Sequence, residues 1–196
     1  MQNFSSTDTE RNLAVELILE DIPGGGVVEK DDFPTSSTGM KEGALLGVDS
    51  SGIYHLTKTA MVKDALAAAA VSGTSQFLIY NNHELKAGEY LQNTGNTASG
   101  ALIASIAASG TGFDVITLGA LNVALAASGV LIQAATGTAR ALGFLYTPVA
   151  IATNPVDLTN DNNGCGLMVR GRVRTENLPY FVDTTIKALL PLVRFV

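Results

Sequence analysis

Short apolar runs separated by glycine dominate the middle of this chain. Between residues 99 and 137 the only charged residue is Asp114, and glycine recurs about every ten residues. Of the pieces between these glycines, FDVITL and VLIQAAT alternate in polarity or carry β-branched residues. Apolar pieces of this length, bounded by glycine, are typical of strands joined by turns. We therefore predict a mainly β fold, sandwich or barrel-like, for this region.

Two other interpretations of the same region compete with the strands. The alanine-rich piece ALNVALAAS could form two turns of helix, and the uncharged stretch 115–139 is long enough to span a bilayer. That stretch is interrupted by glycine and polar residues, and its flanks lack the Lys/Arg clusters and Trp/Tyr belts of membrane spans. The pattern therefore favours strands and predicts no membrane association.

Further strands and one or two short helices are predicted outside this region. GALLGV and IYHLTK flank DSSG, which has the composition of a tight turn. QFLIY, EYLQ and LVRFV are further strand candidates, whereas KDALAAAAV (63–71) and FVDTTIKALL (181–190) have helical spacing.

The clearest strand pattern is GLMVRGRVRTE, residues 166–176. Its alternation puts Met168, Arg170, Arg172 and Arg174 on one face, and Leu167, Val169, Gly171 and Val173 on the other. The three arginines form a basic stripe about 13 Å long. Such a stripe is either a solvated strand face or a contact strip for carboxylates, which the arginine fork binds in bidentate fashion.

The N-terminal residues differ from the rest of the chain in charge. Residues 1–32 carry the whole net charge of −6, because the acids and bases of residues 33–196 cancel. LAVELILEDI (13–22) is ambiguous, since Thr7 and Glu10 have capping-box spacing for a helix while LAVELIL alternates enough for an added strand. PGGG (23–26) is a flexible joint. We predict a mobile acidic arm over 1–26, a linker over 27–39 and a β-rich body over 40–196.

These features predict where the chain makes contacts. The acidic arm is the expected partner of the arginine stripe, either within one chain or from a neighbouring copy. The predicted contact residues are Leu13, Val15, Glu16, Leu17, Leu19, Glu20, Asp21, Arg170, Arg172 and Arg174. Nucleic acid is not an expected partner, because phosphate repels the acidic arm.

Residues typical of catalysis are few. The chain has two histidines, His55 and His83, and a single cysteine, Cys165, which excludes an intramolecular disulfide. No P-loop, HExxH or GxSxG pattern occurs, and Cys165 lacks metal-ligand partners at the usual spacing. MQNFSSTDTERN also lacks the pattern of a secretory signal. We expect a protein without catalytic residues, metal or cofactor, and therefore not an enzyme.

The order of these motifs resembles that of the head fibre proteins, which decorate the capsids of tailed bacteriophages. The resemblance covers EGALLGVDSSGIYHLTKTAMVKDALAAAA, FLIYNNHELKAGEYL, GFDVITLGALNVALAASGVLIQAA and the tail VRGRVRTENLPYFVDTTIKALLPLVRFV. It runs from about residue 40 to the C-terminus and leaves out the acidic arm.

The resemblance implies a structural virion protein on the outer capsid surface, with the major capsid protein as partner and self-association as a dimer or trimer. The arm would then attach the body to the capsid. The alternative is a carbohydrate-binding adhesin module of a phage or bacterial surface. That module would need an exposed aromatic platform, and the chain has no Trp and few Phe and Tyr.

Overall fold

The computed structural model describes residues 13–37, 39–67, 75–94, 100–110, 112–119, 129–135, 144–159 and 163–196. These residues form sixteen strands, two 3-10 turns (Lys30–Asp32 and Thr175–Asn177) and one short helix, so the prediction of a mainly β fold is confirmed. The strands are β1 (Val15–Asp21), β2 (Gly26–Val28), β3 (Gly39–Met40), β4 (Leu45–Val48), β5 (Tyr54–Leu56), β6 (Thr59–Ala67), β7 (Ser75–Tyr80), β8 (Tyr90–Asn93), β9 (Ala101–Ala108), β10 (Phe113–Leu118), β11 (Val130–Ala134), β12 (Ala150–Ala152), β13 (Val156–Asp157), β14 (Asn163–Cys165), β15 (Leu167–Val173) and β16 (Val193–Phe195). The helix, α1, covers Thr184–Ala188.

Six of the strands close into an antiparallel barrel. Around the barrel the order is β10, β7, β6, β11, β8 and β9, and β9 pairs back to β10. Alternate side chains point inwards and form a buried core, to which every strand contributes an aliphatic or aromatic residue or alanine. The apolar run at 99–137 thus supplies three barrel strands, β9, β10 and β11, as its pattern predicts.

The second unit is a sheet of eight strands. Its order is β1, β15, β12, β4, β5, β2 and β14, with β16 beside β15 in parallel. The centre of this sheet is covered on both faces, since the neighbouring residues Leu45 and Leu46 belong to two different buried clusters. β1 lies at one end of the order and pairs only with β15 among the described residues.

One core joins the sheet to the barrel. Val130 and Ile132 of β11 point out of the barrel and pack in the same cluster as Met168 and Val173 of β15, while Leu131 points into the barrel. β11 is therefore buried on both faces, which explains its apolar start Val130–Ile132. No helix among the described residues has both the length and the apolar character needed to cross a bilayer.

The predicted division of the chain into arm, linker and body needs a correction. Within the predicted arm, LAVELIL is the strand β1 and not a helix, and Val15 belongs to the core that β15 shares with α1. β2 pairs with β14 and β5, so the predicted linker also enters the large sheet. The sheet therefore begins at Val15 and not near residue 40; residues 1–12 lie outside the described residues.

Of the two helix predictions, one is confirmed and one is wrong. α1 begins where Asp183 caps it, its carboxylate accepting the Ile186 N–H at 2.9 Å. Residues 63–67 of KDALAAAAV are instead the end of β6, whose backbone pairs with β7 in the barrel. Those ladder hydrogen bonds override the helix propensity of alanine. The remainder of that piece, and ALNVALAAS, lie outside the described residues.

Candidate interaction surface

The edge of the large sheet at β1 carries an unusual set of exposed side chains. Leu17, Ile18 and Leu19 follow one another in sequence and are 44%, 45% and 61% exposed. Alternation would place Ile18 on the opposite face from its two neighbours, yet all three are open to solvent because no described element covers this end of β1. We call Leu17–Leu19, with the flanking Glu16, Glu20 and Asp21, the β1 edge.

The ten predicted contact residues lie on the paired strands β1 and β15 or within two residues of their ends. β1 runs antiparallel to β15, and the pairing sets Leu17 opposite Arg172 and Glu20 opposite Arg170. Leu13, immediately before the strand, is exposed, whereas Val15 is buried in the core and is not available as a surface contact. Ile18 was not predicted, because an edge strand with both faces open has no simple two-residue period.

Glu16 is the point where the acidic segment meets the arginine stripe. Its Oε2 lies 2.6 Å from Arg172 Nε, and its Oε1 accepts a hydrogen bond from Arg174 Nε. These contacts lie within one chain. The hydrogen bond from Arg174, with the charge of Arg172, holds the pKa of the Glu16 carboxyl below its usual value.

Replacing Arg174 with glutamine is expected to raise the pKa of Glu16. Because the pKa of Glu16 is lowered in the folded state, its contribution to stability is present above the unfolded pKa and is lost as the pH falls through the folded pKa. NMR titration of the Glu16 carboxyl carbon measures the shift. Arg170→Gln is the control on the same exposed face, since Arg170 does not contact Glu16 in the structure; equal shifts in both variants would contradict the assignment.

The stripe itself differs from the prediction at one residue. Arg170, Arg172 and Arg174 are exposed, while Gly171 and Val173 are buried, as the alternation predicts. Met168 was expected beside the arginines, but it is fully buried. β12 pairs with β15 at Met168, and the shared core covers this end of the strand, so the arginine face begins only at Arg170.

Glu20 and Asp21 differ from Glu16 in having no partner. Both are exposed, and neither makes an ion pair or a side-chain hydrogen bond with the described residues. Glu20 is paired across the ladder with Arg170, yet no salt bridge joins the two side chains. The C-terminal end of the β1 edge therefore presents two carboxylates that form no ion pair with the described residues, next to three aliphatic side chains.

The side chains with catalytic potential are sealed inside the fold. Cys165 is buried, and burial raises the pKa of its thiol to about 11, which keeps it protonated and unreactive at neutral pH. His55 stacks on Tyr146 with ring centroids 3.8 Å apart, and its Nδ1 lies 3.1 Å from Asp32 Oδ2. Its Nε2 is buried and makes no hydrogen bond with the described residues. Asp49 Oδ2 lies 3.7 Å from that nitrogen.

His83 is buried, and its hydrogen bonds define the tautomer of the neutral ring. Its Nδ1 accepts the Leu85 N–H at 2.9 Å, so the ring proton lies on Nε2, which donates to Asp114 Oδ2 at 3.1 Å. Burial lowers the pKa of His83, and the Asp114 carboxylate only partly offsets this effect.

Acidification is therefore expected to destabilise the barrel through His83. The unfolded chain binds a proton near pH 6.5, whereas the folded ring does so only at lower pH, so the free energy of unfolding falls as the pH drops below about 6.5. Urea denaturation between pH 7.5 and 5 measures this slope. His83→Gln is expected to flatten it, and an unchanged slope would show that another group is responsible.

No group of His, Cys, Asp and Glu side chains in the described part of the chain is suited to hold a metal ion. Comparison with protein-family models, with curated proteins and with solved structures found no match. The function is therefore argued from the geometry of the β1 edge.

Proposed function

We propose that this chain is a structural protein of a tailed-phage virion that decorates the outer surface of the capsid. The observation that carries the proposal is the β1 edge, where three consecutive aliphatic side chains stay exposed on an edge strand of the large sheet, whose outer edge pairs with no described strand. Exposed apolar edge strands promote association, and proteins usually cover or shorten them. This edge is best explained as a surface that a protein partner covers.

Two further observations support a structural role. The histidines and the cysteine that could have served a reaction are buried and engaged in packing. The resemblance of residues 40–196 to head fibre proteins supplies the expected partner, the major capsid protein, and the expected location, the outer capsid surface. Self-association as a dimer or trimer stays a prediction of that resemblance.

Binding at the β1 edge would favour the assembled capsid. A protein whose binding surface spans neighbouring subunits binds the lattice and not the free subunit, so its binding energy shifts the equilibrium towards the lattice. The body would then project from the shell, with the barrel joined rigidly to the sheet through the core that β11 and β15 share.

Immunogold electron microscopy of particles from the source tests the proposal, with an antibody raised against residues 40–196. Regular labelling over the phage heads is the expected result. Labelling confined to tail tips would favour the carbohydrate-binding adhesin, and particles without label would overturn the proposal.

A further inference from the structure

We propose that the partner covers the β1 edge with an extended, basic segment that adds a strand to the large sheet. This inference rests on the proposed function and names the chemistry that the capsid partner would present. The segment would be aliphatic where it faces Leu17–Leu19 and would carry Lys or Arg where it faces Glu20 and Asp21.

β1 has an open edge among the described residues. β1 uses one edge to pair with β15, and its other edge pairs with no strand among the described residues. The outward backbone N–H and C=O groups of an edge strand are a template for a further strand, and side chains on alternate positions then set the specificity. An added strand would also bury the three exposed aliphatic side chains.

The charges of β1 disfavour pairing with the same strand of another copy. The antiparallel register that pairs Leu17–Leu19 of one copy with Leu17–Leu19 of another places Glu16 opposite Glu20 on both sides. Like charges directly opposite one another destabilise a strand pair. The acidic residues therefore act against homotypic pairing and favour a partner of opposite charge.

The unpaired acids at the C-terminal end of the β1 edge indicate a basic partner. Glu16 forms ion pairs with Arg172 and Arg174. Glu20 and Asp21 have no cation of this chain within ion-pair distance among the described residues. Their negative field next to an apolar surface is complementary to a strand that ends in basic residues.

The irregular pairing of β1 limits the length of this contact. The register with β15 shifts between Val15 and Leu17, and again between Ile18 and Glu20. Bulges of this kind twist an edge strand and discourage long, unspecific pairing. The added strand is accordingly short, and its specificity comes from the acidic end of the edge.

A charge-reversal experiment tests the inference. Heads assembled without this protein are incubated with the wild type, with the double variant Glu20→Lys/Asp21→Lys, or with Glu176→Lys. Glu176 is an exposed acid without a described partner on the turn after β15, which makes it the matched control. The double variant is expected to bind on the order of tenfold more weakly. A lysine at position 20 faces Arg170 across the ladder and costs some stability, so binding is compared well below the melting temperature measured for each protein.

Hydrogen exchange on the bound wild type locates the contact. Protection of the amides of residues 15–21 on heads is the expected result. Equal binding of all three proteins, with unchanged exchange at 15–21, would overturn the inference and leave the proposed function intact. A change in the solution mass of the double variant without loss of head binding would assign the edge to another copy. Absence of wild-type binding would overturn the proposed function, and the inference with it.

Discussion

Replacing Glu89 with alanine is expected to lower the free energy of unfolding by about 3–5 kcal/mol. Lys58 links the large sheet to the barrel between β5 and β6, and its side chain is completely buried. Its Nζ donates to Glu89 Oε1 at 2.5 Å. Without that carboxylate, a buried ammonium is left unpaired. Burial already lowers the pKa of Lys58, and Glu89 opposes this effect. Glu89→Ala therefore lowers the pKa of Lys58 further.

Two variants separate charge from hydrogen bonding at this pair. Glu89 Oε2 also accepts the Lys86 N–H at 2.9 Å, and Glu89→Gln removes the charge while it keeps one acceptor oxygen, which can serve Lys58 or the Lys86 N–H but not both. The double variant Lys58→Met/Glu89→Leu removes both charges and should recover most of the lost stability. Urea denaturation of the four proteins gives the comparison. If Glu89→Ala lowers the free energy of unfolding by less than about 1 kcal/mol, the prediction is wrong, because exposed ion pairs contribute that little.

Gly171→Ala is expected to lower the free energy of unfolding by roughly 1–3 kcal/mol. A Cβ on Gly171 would lie 2.2 Å from the carbonyl oxygen of Leu17 and 2.3 Å from Met168 Sδ. The side chain of Met168 can move, but the Leu17 oxygen is backbone. The methyl group therefore pushes β1 away from β15 at the position where the β1 edge is held.

Gly164→Ala is the matched control for Gly171→Ala. Gly164 lies on β14 at the other end of the same sheet, and a Cβ there would meet no atom within 4 Å. Thermal unfolding compares the stability of the two variants, and hydrogen exchange of residues 15–21 reports on the strand pair. Equal stability and equal exchange would contradict the close approach of β1 and β15.

Sequence reasoning predicted the strands where burial follows a simple period. β15 shows this best: its exposed arginines alternate with the buried Gly171 and Val173. The composition of DSSG also predicts the turn between β4 and β5. In the structure Asp49 accepts the N–H groups of Ser51 and Ile53, and Gly52 has a φ of +83°. In both cases the residues that predict the element are adjacent in the sequence.

The arm prediction failed for a reason that is equally physical. A charge sum over the first 32 residues measures composition, but it does not show which strand a segment pairs with. Glu16 and Arg174 are 158 residues apart in sequence, and only the register of β1 with β15 brings them together. The opposite charges predict a contact between the acidic segment and the arginine stripe. They do not predict that this segment is a strand paired with β15.

The buried polar pairs also escaped sequence reasoning. Lys58 ends the predicted strand IYHLTK and Glu89 begins the predicted strand EYLQ, and nothing in LTKTA indicates a buried lysine. Asp32 and His55 are likewise 23 residues apart. These pairs depend on how the sheet and the barrel are joined, which no local pattern encodes.

A three-dimensional reconstruction of the phage heads by cryo-electron microscopy tests the central claim most directly. The account predicts density for the barrel and the sheet outside the shell at equivalent lattice positions, with the β1 edge against a capsid subunit and the barrel pointing away. Heads without such density would contradict the decoration role. Density that attaches through the barrel, with Leu17–Leu19 facing solvent, would contradict the assignment of the β1 edge.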